Sequence, residues 1–401
     1  MDKYDIIIIG AGISGLSLAH YCAKKRLKTM VIEKDARSGG TLHSYRFESA
    51  SGFWLEMGAH TCYNSYVNLI EVMQESGALG RLIPREKVSF KMLVDGKIKS
   101  IPSQLNFPEL LLSLPRAFTL RKEGMSVESY YSGLIGRKNF KRVLGPAINA
   151  VISQDAGDFP AELLFKKRSR RKDVMKKFTL AGGVQTIADA IAAQKNISFA
   201  HGQAVLAISR GNGLFEVTTA KDSYAAQHLA LATPASVAAR LLRDSFPGVA
   251  EKLSGIRVET IGSVGVAVRK DLVPAIPQAA GIIPVSDAFH SIVTRDTVKH
   301  DEYRGFTFHF KPGLMDLEDK LTRVSAVLGV ERRQLERVTA KENCIPSLRV
   351  GHPALVRALD QAVSGTSLLL TGNYFDGLAI EDCVTRSRKE FERCFAPPTG
   401  G

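Results

Sequence analysis

Three glycines, Gly10, Gly12 and Gly15, fall in the spacing GxGxxG, and an acid, Glu33, closes the apolar run that follows them. Residues of these types at this spacing can hold a dinucleotide. Gly10 permits a tight turn, Gly12 lets the backbone approach a pyrophosphate, and Gly15 lets a helix pack closely on a strand. Ile13 and Ser14 stand where a helix would start, and their backbone N–H groups offer phosphate hydrogen bonds and a partial positive charge. Glu33 can accept hydrogen bonds from a ribose, with Lys34 beside it as a further contact. A glycine turn that holds nothing is the alternative.

The surrounding elements are those this chemistry needs. Asp5–Ile9 is a short β-branched run, as expected of a buried parallel strand. Leu16–Lys25 has helical composition, and Thr29–Glu33 reads as the next strand. Strand, turn, helix and strand together make the context in which the glycine spacing is informative. The same stretch fails as a targeting or spanning segment. No net-positive lead precedes it and no small-residue cleavage site follows. Its apolar run, broken by glycines, falls short of the about 18 residues of a membrane helix. The expectation is a cytoplasmic protein, soluble or peripherally bound to a membrane.

Three further segments point to FAD among dinucleotides. Arg37-Ser-Gly39-Gly40 allows a second close backbone approach, with Arg37 placed to neutralise phosphate and Thr41 next in the loop. His228 to Pro234, which ends Ala232-Thr233-Pro234, resembles the strand-and-turn segment of flavoproteins with two dinucleotide-binding halves. Leu368 to Cys383 reads as strand, glycine turn and helix start; Gly372, Asn373, Gly377, Leu378 and Ala379 could set backbone N–H groups against a flavin pyrimidine ring. Such a segment at the far C-terminus has no use in a simple nicotinamide enzyme.

With these residues in view, the chain resembles the FAD-dependent amine oxidase superfamily, and within it the protoporphyrinogen/coproporphyrinogen oxidase branch. "GFWLEMGAH" is similar to the segment whose backbone passes the flavin, and it brings in Gly58, Ala59 and His60. "LAGGVQTIADAI" is similar to the family's "GGMQTLPDAL", "IPSLRVGH" to "IPQYxVGH", and "GNYFDGLAIEDCV" to "GNYxxGVSIxDCV". "HGQAVLAISRGNGLFEVTT" resembles the hairpin whose valine backbone, here Val205, meets adenine. Thr41 stands where the superfamily often has arginine, and Leu348 where the branch has tyrosine.

The resemblance implies an α/β fold: a two-dinucleotide-binding, Rossmann-type FAD domain, discontinuous over 1–85, 178–260 and 345–394. A mixed-sheet substrate domain would comprise 86–104 and 261–344, and 105–177 a helical cap, with a tail at 395–401. Val88–Pro102 reads as a hairpin turning at Asp95-Gly96, and Met315–Leu328 as a helix. The implied activity is dehydrogenation by hydride transfer to flavin, with O₂ as acceptor and a small-molecule substrate, for this branch an anionic tetrapyrrole. An amine oxidase or desaturase of the superfamily, acting on a secondary metabolite, is the alternative; a flavin- or porphyrin-binding protein without turnover is a second.

The catalytic candidates are His60 and Tyr374, at the flavin or the cavity wall. His352 is expected to orient a turn, and Lys311 is a weaker candidate near flavin. The formal net charge of +14 over 401 residues calls for an anionic partner. The densest run, Lys166–Lys177, suits anionic lipid, substrate carboxylates, or simply water. It has no interleaved aromatics, which argues against nucleic acid. Leu110, Leu111, Leu112 and Leu114 could face a bilayer or a helix core. Five scattered cysteines show no metal-ligand spacing, so no metal is expected.

Overall fold

The computed structural model describes residues 3–395, the side chains of Leu114 and Ala117 excepted. Of the tail expected at 395–401, Phe395 ends the last helix and the rest lies outside the described residues. Lys3–Ile9 is the central strand of a seven-stranded sheet. It pairs in parallel with Thr29–Ile32 on one side and Ser223–Leu231 on the other. Ile197–Ala200 extends the sheet at one edge, and Leu368–Leu370 joins Ser223–Leu231 in parallel. Val205–Gly211 and Leu214–Thr219 complete it as an antiparallel hairpin. The run Ile6–Ile9 is apolar throughout because both faces are covered. Ile7 and Ile9 enter one core, and Ile6 and Ile8 enter the other beneath helix Ile13–Lys24.

A second seven-stranded sheet runs Arg337–Ser347, Arg257–Arg269, Tyr303–Phe310, Phe289–Thr294, Gly281–Pro284, Phe90–Val94 and Lys97–Ser100. The last two form the hairpin expected at Asp95-Gly96, whose φ values of 51° and 73° give the twist that a two-residue turn requires. Arg257–Arg269 and Arg337–Ser347 run across the boundaries expected near 260 and 345, because each is one continuous strand paired along its length. Phe306, Phe308 and Phe310 face helix Leu317–Leu328, whose N-terminus is capped by Asp316. Thr307, His309 and Lys311 alternate to the opposite face, toward the first sheet's loops. Strand Trp54–Glu56 lies on that face so closely that a Cβ on Gly305 would meet Leu55 at 2.1 Å.

Short helices fill the region expected as a cap: Phe107–Ser113, Val127–Ile135 and Gly145–Ile152. Val127, Tyr131, Ile148 and Ile152 bury against the first core. Phe107, Leu111, Leu112 and Phe118 remain exposed, Phe118 at 91%. No helix among the described residues is long and apolar enough to cross a membrane.

Candidate functional site

The parallel strands Ile197–Ala200, Thr29–Ile32, Lys3–Ile9, Ser223–Leu231 and Leu368–Leu370 end along one edge, and the loops leaving that edge carry nearly every expected cofactor residue. Gly10 turns with φ of 102°, and a Cβ there would meet the Ala232 carbonyl oxygen at 2.7 Å, beside Thr233. Gly15 packs tighter still, with only 1.9 Å from an added Cβ to the Gly10 oxygen. Gly12 differs: nothing lies within 4 Å of its Cβ position. Helix Ile13–Lys24 starts there with no side-chain cap. An open cradle beside uncapped N–H groups is what a pyrophosphate needs, so these residues fit FAD.

Glu33 accepts from the Ala11 N–H at 2.7 Å and the Asp35 N–H at 2.9 Å. It therefore braces the glycine turn, and each oxygen keeps a lone pair for a ribose hydroxyl. The Gln203 N–H bonds the Glu33 carbonyl, which brings the hairpin start and Val205 to the same corner. Lys34 is exposed and pairs with Asp35. Gly39 donates to the Ala11 carbonyl at 2.7 Å, and Gly40 lies against Gly12. Ala59 donates to the Thr41 carbonyl, which joins the loop of Gly39–Thr41 to Gly58–His60. At the far side, Thr371 donates to the Leu231 carbonyl and sets the Gly372-Asn373 turn beside that edge. Ser387 Oγ donates to the Ser14 carbonyl at 2.8 Å, so helix Ile380–Phe395 starts alongside the first helix, with Gly377, Leu378 and Ala379 leading into it.

Three expectations change. Arg37 is engaged mainly by its own loop: its guanidinium donates to the carbonyls of Ser38, Gly40 and Leu42 and to Gln185 Oε1, and so holds the loop in shape. Tyr374 turns into the core, with its ring fully buried beside Phe375 and its hydroxyl without a partner among the described residues. The His352 ring bonds the Tyr374 carbonyl at 2.6 Å and so holds the backbone of that turn. His352 orients the turn, as expected. The basic run is partly spent on structure: Arg168 pairs with Asp382 at 2.7 Å, Lys166 bonds the Asp376 carbonyl, and Arg171 pairs with Asp173.

His60 is half-buried, bonded to the Gly58 carbonyl, and held neutral; burial first, then the Arg85 charge, pull it down to about 4. It meets a polar cluster that the sequence did not reveal. Asn343 Nδ2 donates to Ser263 Oγ at 3.0 Å and to the Met57 carbonyl at 2.8 Å. Ser263 Oγ lies 2.9 Å from His309 Nδ1. The serine accepts from Asn343 and keeps its own proton and a second lone pair for His309 Nδ1. Burial, followed by His60 and His290, pulls His309 down to about 3. Lys341 Nζ donates to the Gly40 carbonyl, and burial lowers it to about 8. These side chains come from three strands far apart in sequence. The only signal for them was the alternation in "GFTFHF", which separates the phenylalanines from Thr307 and His309. Lys311 shares that face, next to His290.

Glu56 is buried, accepts from Ser44 Oγ and the Val184 N–H, and is still pushed up to about 7 by burial. Its folded pKa exceeds its ordinary 4.5, so its stabilising contribution is complete below about pH 4.5 and is lost as pH rises through 7. Urea unfolding followed from pH 4.5 to 8 is therefore expected to show stability falling by an amount on the order of 2–3 kcal/mol in the wild type, and a flatter profile in Glu56→Gln.

The sequence pattern of the flavin containing amine oxidoreductases matches residues 13–297. Protoporphyrinogen oxidase of Bos taurus is 22% identical over 97% of this chain and 98% of its own. A solved chain from Exiguobacterium sp. 255-15, provisionally named protoporphyrinogen oxidase, superposes over 98% of both chains with a TM-score of 0.79 at 16% identity. Cyclohexylamine oxidase from Brevibacterium oxydans IH-35A does so over 97% of this chain and 98% of its own, with a TM-score of 0.71 at 15% identity. At such identities the structural likeness establishes the fold. Since the family pattern spans most of the chain, from the helix start at Ile13 through the Gly39–Gly40 loop and the Gly58–His60 segment, the chain belongs to the flavin containing amine oxidoreductase family and is an FAD-dependent oxidoreductase.

Proposed function

We propose that this enzyme dehydrogenates a porphyrinogen-type tetrapyrrole, in the manner of a protoporphyrinogen or coproporphyrinogen oxidase, with O₂ as the final acceptor. The observation that carries this reading is the match to the Bos taurus oxidase across nearly all of both chains. The matched 15-cis-phytoene desaturase of Narcissus pseudonarcissus, by contrast, aligns over 27% of this chain.

FAD, when bound, supplies a hydride acceptor. The chain supplies position and dryness. The open backbone at Gly12 and the uncapped start of helix Ile13–Lys24 would hold the phosphates, and Gly58–His60 forms a wall beside the Thr41 loop. His60, His290 and His309 are all held neutral, mainly by burial, so they line the site without placing a charge against the substrate. Hydride removal from a carbon asks for orientation and water exclusion more than for a strong base.

The cap fits a peripheral membrane contact within the same reading. Exposed Phe107, Leu111, Leu112 and Phe118 share the region with exposed Arg116, Arg121, Arg137, Lys138 and Lys141. None of these five cations has an acid partner among the described residues, a combination suited to an anionic lipid surface.

The test is anaerobic mixing of the purified yellow protein with coproporphyrinogen, protoporphyrinogen and a panel of amines. Rapid bleaching of the flavin by a porphyrinogen is the expected result. Bleaching by an amine alone would replace this reading with an amine oxidase.

A further inference from the structure

Arg85 and Arg295 point at one small pocket, and neither has a carboxylate within ion-pair distance among the described residues. Arg85 donates to the His60 carbonyl and Thr61 Oγ1, and Arg295 to the Val298 carbonyl. Most of their donors remain unused. The Arg295 Nε is buried and unpartnered. So is Thr179 Oγ1, on a side chain only 2% exposed that lines the same pocket. Buried donors without partners are costly, and two guanidinium groups and a hydroxyl that converge on one space call for an acceptor-rich anion.

The other charges do not cancel this. Glu56 is the one carboxyl in the pocket; both its oxygens already accept hydrogen bonds, and its raised pKa leaves much of it protonated near neutrality. His60 is neutral there. Burial lowers Arg295 to about 10, a direction that an added anion would reverse. The remaining wall combines apolar Trp54, Leu55, Val293 and Val298 with Thr294, Thr297 and Thr307, and Arg295 stacks 4.3 Å from the Trp54 ring centre. Converging donors around so small a space match the head of a carboxylate carried on an alkyl arm.

The pocket also has an approach. Arg295 and Val298 line a second, outer depression with Lys270 and His300. Its two acids are taken, Glu86 by Lys299 and Asp296 by Arg304, which leaves Lys270 and Arg295 to attract an anion inward.

We infer that the pocket between Arg85 and Arg295 is a binding subsite for a carboxylate arm of the substrate, entered past Lys270 and closed off by Arg295. His60 forms part of its inner wall, so a bound arm anchors the substrate next to the segment that faces the flavin. This use by substrate rests on the proposed function; the site itself rests only on its own geometry.

Butyrate is the probe. Thermal unfolding of the flavin-loaded protein in sodium butyrate is compared with sodium chloride at equal ionic strength. A saturable rise in Tm of about 2 °C or more with butyrate alone is expected. It should vanish in Arg295→Gln and Arg85→Gln. An equal effect of chloride, or a rise that survives both substitutions, overturns the site. If an arginine variant does not fold, Thr179→Val decides, since it keeps the side-chain volume. It should weaken apparent butyrate affinity several-fold, and an unchanged affinity overturns the assignment. Butyrate should also compete with whichever substrate bleaches the flavin. Non-competitive inhibition would refute the substrate arm while leaving the proposed reaction standing.

Discussion

Gly12→Val is expected to fold normally and to emerge colourless, whereas Gly15→Ala, a smaller change, is expected to damage the fold itself. At Gly12 the backbone is extended, with φ of −70° and ψ of 175°, and no atom lies within 4 Å of the added Cβ. A valine there meets no atom but is a poor N-cap, and costs the apo protein about 1 kcal/mol. Its methyl groups instead fill the cradle in front of the N–H groups of Ile13 and Ser14. FAD affinity should fall by at least about 100-fold, equivalent to nearly 3 kcal/mol. At Gly15 the added carbon would stand 1.9 Å from the Gly10 oxygen, and helix Ile13–Lys24 would have to move off its strand. Overpacking of that kind costs about 1–3 kcal/mol or more. Flavin absorbance and urea unfolding, read on both variants, separate the two effects. A Gly12→Val protein that stays yellow would contradict the placement of the pyrophosphate.

The second large effect is expected at Arg386, a fully buried arginine. Its Nε donates to the Leu370 carbonyl at 3.0 Å, its Nη1 to Asp360 at 2.6 Å, and its Nη2 lies 3.0 Å from Glu390. The guanidinium also sits 3.7 Å from the centre of the Phe375 ring. Arg386→Ala removes all four contacts and leaves Glu390, itself 1% exposed, with only Arg393 and the Leu370 N–H. Loss of one member of a buried pair costs about 3–5 kcal/mol. A double variant, Arg386→Met with Glu390→Gln, should recover part of that loss, because both members of the fully buried ion pair are then neutral. Denaturation curves for the single and double variants test this. Leu370 ends the strand that feeds the Thr371-Gly372 turn, so weaker flavin binding should accompany the loss.

The chemistry of holding FAD was legible because it is local. A strand of Ile6–Ile9, a glycine turn, a helix and Glu33 are consecutive in the chain, and backbone N–H groups do the binding. The hairpin at Asp95-Gly96 and the helix near Leu317–Leu328 were legible for the same reason: turn chemistry and hydrophobic period act over a few residues. Arg37 and Tyr374 show where that kind of reading stops. Both stand beside glycine turns in sequence, yet one braces its own loop and the other fills the core, because side-chain direction depends on what the fold packs against them.

The sequence by itself determined the cofactor, the Rossmann-type strand–turn–helix–strand unit that holds it and the family. Only the tertiary structure decided which side chains meet there. Ser263, His309 and Asn343 belong to three strands, and Arg85, Thr179 and Arg295 to three separate segments. Nothing in the local chemistry of any one of them announces the others. Their convergence follows from sheet register, which carries a residue to one face or the other at every step and is set by long-range pairing.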